Sequence, residues 1–81
     1  LIDDIKQMIQ QNYTDINLSS DMIADKVGMS SVYLGSIFKR ITSMSIAQYI
    51  NEVRMEKARE YLLKSDYPIE QIILKTGFSN N

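Results

Sequence analysis

Apolar residues along this 81-residue chain recur every three or four positions, which predicts helices throughout. Ile2, Ile5, Met8 and Ile9 share one face of a first helix over about 2–12, while Asp3, Asp4, Lys6, Gln7 and Gln10 point away. Tyr13-Thr14-Asp15 reads as its exit. Ser19 is suited to cap a short second helix, in which Asp21 favours the positive end and Ile23, Ala24 and Val27 form the inner face. Gly28 ends that helix, because a left-handed backbone is unstrained only for glycine.

Ser30 then caps a third helix over about 31–41, with Leu34, Ile37, Phe38 and Ile41 expected to face inward. After a connection from Ile41 to Met44, Ser45 caps a long fourth helix reaching about Lys64. Its apolar stripe changes direction. Ile46, Tyr49, Ile50 and Val53 cluster on one side, and Met55, Ala58, Tyr61 and Leu62 cluster roughly 100–150° around from them. Such a helix packs one lobe with its first half and another with its second. A single broad buried face is the alternative that the stripe alone leaves open. Ser65-Asp66-Tyr67-Pro68 breaks the helix, with Pro68 suited to the first turn of a fifth whose inner face is Ile69, Ile72 and Ile73.

A duplicated motif favours the two-lobe arrangement. Ile23-Ala24-Asp25-Lys26-Val27-Gly28-Met29-Ser30 recurs 49 residues later as Ile72-Ile73-Leu74-Lys75-Thr76-Gly77-Phe78-Ser79. Each copy is a helix end, a glycine turn, an apolar plug and a serine able to cap the next helix. That is the order of a helix-turn-helix, whose second helix enters the major groove of DNA. In the first copy Ala24 lets two helices approach, Gly28 turns the chain, and Leu34 and Ile37 close the second helix on the first. The expected fold is all-α, a homeodomain-like double helix-turn-helix. Residues 1–44 would form the first lobe, 45–65 the linking helix and 66–81 the start of a second lobe, incomplete after Asn81. A first residue of leucine predicts a piece excised from a longer protein.

Composition narrows the chemistry. With no cysteine and no histidine, disulfides, thiolate-zinc sites and histidine-based catalysis are excluded, and no cofactor is expected. No apolar run approaches the roughly 20 residues of a membrane helix, and the absence of cysteine fits the cytoplasm. Glu52 and Glu56 form an i, i+4 carboxylate pair, better read as solvated helix surface than as a metal or acid–base site. The net charge of −1 is unevenly spread. Up to Asp25 there are five acids and one base, and from Lys26 onward eight bases and five acids. The third helix carries Lys39 and Arg40 and no acid, and a local field matters more than the total for docking on phosphates. Chance asymmetry on a small surface is the alternative.

The order and spacing of Leu18-Ser19, Ile23-Ala24, Gly28-Met29-Ser30, Tyr33-Leu34, Ile37-Phe38-Lys39, Tyr49-Ile50, Arg54-Met55, Ala58, Leu63, Pro68-Ile69, Ile72 and Gly77-Phe78 cover essentially the whole chain. In these residues it resembles the DNA-binding domain of AraC/XylS-type bacterial transcription activators. The resemblance implies two helix-turn-helix lobes on a central helix, reading adjacent major-groove segments of double-stranded DNA. It also implies a second recognition helix beyond Asn81, RNA polymerase as a partner of the full-length protein, and any dimerisation placed mainly in an N-terminal domain outside this chain. Three positions depart from that pattern. Ser43 stands for the usual glycine before the central helix, which predicts a differently shaped turn. Ile73 replaces a small alanine, which predicts wider helix spacing in the second lobe. Gly35-Ser36 occupies an outer face where related proteins place long polar readers.

The candidate DNA contacts are Ser30, Ser31, Val32, Gly35, Ser36, Lys39, Arg40 and Asn81. Val32 is suited to a thymine methyl, Ser36 to several base edges, and Ser30 and Ser31 to a phosphate at the helix N-terminus. Lys39 and Arg40 suit phosphates, or else are solvated cations at the helix C-terminus. Asn80 and Asn81 would begin the second reading head. Arg54 reads as structural, pairing with an acid between the lobes. The rival function is a protein-interaction module, with the acidic first helix docking on RNA polymerase or a regulatory domain.

Overall fold

Five helices follow one another in the structure, a computed structural model that describes residues 1–78: α1 (Ile2–Asn12), α2 (Ser20–Val27), α3 (Ser31–Thr42), α4 (Ile46–Lys64) and α5 (Ile69–Lys75). Serine side chains set three of the starts. The hydroxyl oxygens of Ser19, Ser30 and Ser45 accept from the backbone N–H groups of Met22, Tyr33 and Gln48 at 3.2, 3.1 and 3.0 Å. Each satisfies a donor that the first turn of a helix leaves unpaired. At α4 the cap is reciprocal, because the Gln48 side chain accepts the Ser45 N–H at 2.9 Å. Pro68 sits just outside α5, as its N-cap.

The two copies of the motif close in the same way. Gly28 has φ +73°, and the Met29 N–H donates back to the Ala24 carbonyl at 3.0 Å. Gly77 has φ +85°, and the Phe78 N–H donates to the Ile73 carbonyl at 3.2 Å. Both are left-handed turns with a bond from the residue after the glycine into the last helical turn.

One core gathers Ile5 and Ile9 of α1, Leu18 of the bend, Ile23 and Ala24 of α2, Leu34 and Phe38 of α3, and Ile46, Ile50 and Val53 of α4. The Phe38 and Tyr49 rings meet edge to face at 5.7 Å. The second half of α4 lies with α5, where Ile72 and Thr76 are buried and the Thr76 hydroxyl donates to the Ile72 carbonyl at 2.7 Å. The radius of gyration is 13.5 Å, against about 12 Å for a compact chain of this length. That excess is what a linking helix about 28 Å long produces.

Three inward assignments need correction. Ile41 is 63% exposed and Ile37 only half-buried. Ile37 stands at the edge of the buried face that Leu34 and Phe38 define, and Ile41 shares that face but lies in the last turn of α3. Ile69 shares the face of Ile72 and Ile73 that meets α4, but it is 59% exposed because it opens the first turn of α5.

Ser43 caps α3 with φ +65°, the left-handed geometry that glycine adopts most readily, and its N–H donates to the Lys39 carbonyl at 2.8 Å. The residue is unusual, but it takes the glycine-like conformation. That conformation costs an L-residue roughly 1–2 kcal/mol, partly offset because glycine loses more entropy on folding. Ser43→Gly is therefore expected to raise the melting temperature by a few degrees in a circular-dichroism melt. A lower melting temperature would mean that the serine makes a compensating interaction.

Candidate nucleic-acid interface

α3 is held by its inner side and open on its outer one. Leu34 and Phe38 are fully buried, which fixes the rotation of the helix about its axis. At about 100° per residue, Val32, Gly35, Ser36 and Lys39 then fall along one outward stripe, with Arg40 at its edge. Val32 is 83% exposed, Ser30, Ser36, Lys39 and Arg40 are exposed, and Ser31 and Gly35 are half-buried. A Cβ built on Gly35 meets nothing within 4 Å. Asn81, the remaining sequence candidate, lies outside the described residues, as do Ser79 and Asn80.

Charge and hydrogen bonding suit this face to an anion. Lys39 and Arg40 form no ion pair among the described residues. The Ser30 oxygen already accepts the Tyr33 N–H, but its own O–H is free to donate. Val32 offers a methyl-sized apolar contact, and Gly35 leaves room for close approach.

Two features were missed from sequence. Tyr33, 60% exposed, flanks the outward stripe on the side of Arg40; the sequence marked it only as part of a resemblance. A groove of about 470 Å³ is lined by Ser19 and Ser20 at the start of α2 and by Gln48, Asn51 and Arg54 of α4, with no carboxylate among its walls. Those side chains come from helices far apart in sequence, so no local motif announces them.

Arg54 reaches from α4 to the bend after α1. Its Nε–H donates to the Tyr13 carbonyl at 2.9 Å and its Nη2 to the Asp15 carbonyl at 2.8 Å. The expected pairing with an acid is thus corrected: the partners are main-chain oxygens, and the Asp15 carboxylate accepts from the Asn17 N–H at 2.9 Å instead. Burial lowers the Arg54 pKa, the Asp15 charge opposes that shift, and a guanidinium stays ionised in either case. Among the described residues, no group of three or more Asp, Glu, His or Cys side chains is placed to hold a metal ion. No helix among them is long and apolar enough to cross a membrane.

A short α2, a left-handed glycine turn and an α3 with an open outer face define a helix-turn-helix domain. Residues 23–81 match the family model described as a helix-turn-helix domain. The chain is 32% identical to the Msm operon regulatory protein of Streptococcus mutans, over 99% of this chain and 28% of that protein. It is 29% identical to the bifunctional transcriptional activator/DNA repair enzyme AdaA of Bacillus subtilis, over 98% of this chain and 37% of that protein. Its fold superposes on the C-terminal domain of AraT, a response regulator from Geobacillus stearothermophilus, with a TM-score of 0.92 and 30% identity, covering 95% of this chain and 64% of that one. The chain belongs to the AraC/XylS-type family of DNA-binding helix-turn-helix domains. It spans 28% and 37% of the lengths of the two curated relatives.

Proposed function

We propose that the chain binds double-stranded DNA as part of a transcription regulator, with α3 entering the major groove. The observation that carries this reading is the outward stripe of α3, cationic at its C-terminal end, free of carboxylates and oriented by buried Leu34 and Phe38. In this reading Val32 and Ser36 approach base edges, Gly35 admits the groove wall, Ser30 and Ser31 hold one phosphate, and Lys39 and Arg40 hold others. The short, small side chains leave specificity partly to the shape and bending of the duplex. Residues 1–44 act as the first lobe, 45–65 as the linking helix and 66–81 as the start of the second. In the longer protein, RNA polymerase is a further partner, dimerisation belongs to a region outside this chain, and the compartment is the cytoplasm.

Catalysis is not part of this reading. The name of AdaA couples an activator to a repair enzyme, but the chain covers only 37% of that protein. Glu52 and Glu56 are exposed on α4 and belong to no metal-holding cluster among the described residues.

Binding to random-sequence duplex across a salt series tests the proposal. The logarithm of affinity is expected to fall linearly with the logarithm of salt, by about 0.9 per phosphate contacted. Lys39→Ala with Arg40→Ala is expected to flatten that slope by roughly two. A slope unchanged in the double variant would remove both side chains from the interface. No binding at low salt, together with salt-insensitive capture of a protein through an apolar surface, would move the function to a protein partner.

A further inference from the structure

We infer that Arg54 is a positioning residue that locks the second helix-turn-helix turn onto the first lobe and so fixes the angle between the two. The observation is a contact shared by three parts of the chain. Arg54 follows Val53, the last α4 side chain in the main core, and its two bonds run to the Tyr13 and Asp15 carbonyls. The same Tyr13 oxygen faces the turn after α5. A Cβ on Gly77 would overlap it and stand 3.0 Å from the Arg54 Nε. The exit of α1, the middle of α4 and the second turn therefore meet around one carbonyl oxygen.

The apolar contacts of the second lobe, with Ile72 buried against α4, are not directional enough to set this orientation alone. α5 rests on α4 along a groove lined by Met55, Ala58, Leu62, Ile69, Ile72 and Ile73, and Met55, Leu62 and Ile69 are still exposed. Such contact is non-directional and tolerates sliding. The guanidinium is a planar fork, and here two of its donors engage oxygens two residues apart. The bend at 13–15 thereby sets the plane of the fork, and the fork sets where Gly77 comes to rest. A lysine ammonium cannot hold both oxygens in that geometry. The consequence for DNA rests on the function proposed above: two heads held at one angle address sites of one spacing.

The absence of cysteine allows paired spin labels at exposed Gln7 on α1 and exposed Gln71 on α5. Pulsed electron-spin distance measurements without DNA are expected to give one narrow distance in the parent. Arg54→Met should broaden or shift it, Arg54→Lys less so, with helical circular dichroism retained. A distribution in Arg54→Met as narrow and as placed as the parent's overturns the inference. If Arg54→Met alone fails to fold, Arg54→Lys decides, an unchanged distribution again overturning it. Loss of helix in both variants also overturns it, since Arg54 would then serve overall stability. Because no duplex is present, the outcome is independent of whether α3 binds DNA.

Discussion

Phe38→Ala is expected to remove most of the stability of this domain. Phe38 is fully buried at the point where α3 meets the rest of the core, and its ring packs edge to face on Tyr49 at 5.7 Å. Truncating a buried phenylalanine costs about 3–5 kcal/mol, through lost transfer energy and the cavity left behind. A chain of this size holds only about 4–12 kcal/mol in total. The melting temperature should therefore fall by roughly 15–30 °C, read by circular dichroism, with partial unfolding at room temperature. Phe38→Leu should lose markedly less, because most of the volume remains. Ile37→Ala, at a half-buried position one residue away, serves as the control. If it proved as damaging as Phe38→Ala, the core drawn around α3 would be wrong.

The second large effect contrasts two glycines with nearly the same backbone. Gly28 and Gly77 have φ of +73° and +85°, so alanine is strained at both by about 1–2 kcal/mol. At Gly28 the new methyl meets nothing within 4 Å, and strain is the whole cost. At Gly77 it overlaps the Tyr13 carbonyl, so the second turn has to move off the first lobe. Strain and overpacking together make Gly77→Ala worth about 2–4 kcal/mol. The damage should be regional. Amide exchange is expected to accelerate across α5 while α2 and α3 keep their protection, whereas Gly28→Ala should loosen α2 and α3 and spare α5. Equal effects from the two variants would leave the close approach at Gly77 without energetic weight.

The helices were legible in the chain because their ends are written locally. Ser19, Ser30 and Ser45 cap where the serines stand, and Gly28 and Gly77 turn where glycine is free to. The rotation of α3 was legible as well, since Leu34 and Phe38 fix it from within. What escaped depends on length and on distance in space. Ile41 and Ile69 have the right spacing to be inside, but one stands in the last turn of α3 and the other in the first turn of α5, where the cover is incomplete. The conformation of Ser43 escaped because its side chain gives no sign of a left-handed turn. The groove of Ser19, Ser20, Gln48, Asn51 and Arg54 escaped because two helices assemble it. The partners of Arg54 escaped for another reason: they are main-chain carbonyls, which every residue carries and no side chain marks.

That last point bears on how such a contact is inherited. Because Arg54 is bound to the main chain at 13 and 15, neither bond specifies which side chains stand there. As far as these two bonds are concerned, position 54 must stay arginine while 13 and 15 answer to other contacts, so no pair of columns in an alignment need change together. Methods that infer spatial neighbours from correlated substitution would pass over the junction between the lobes.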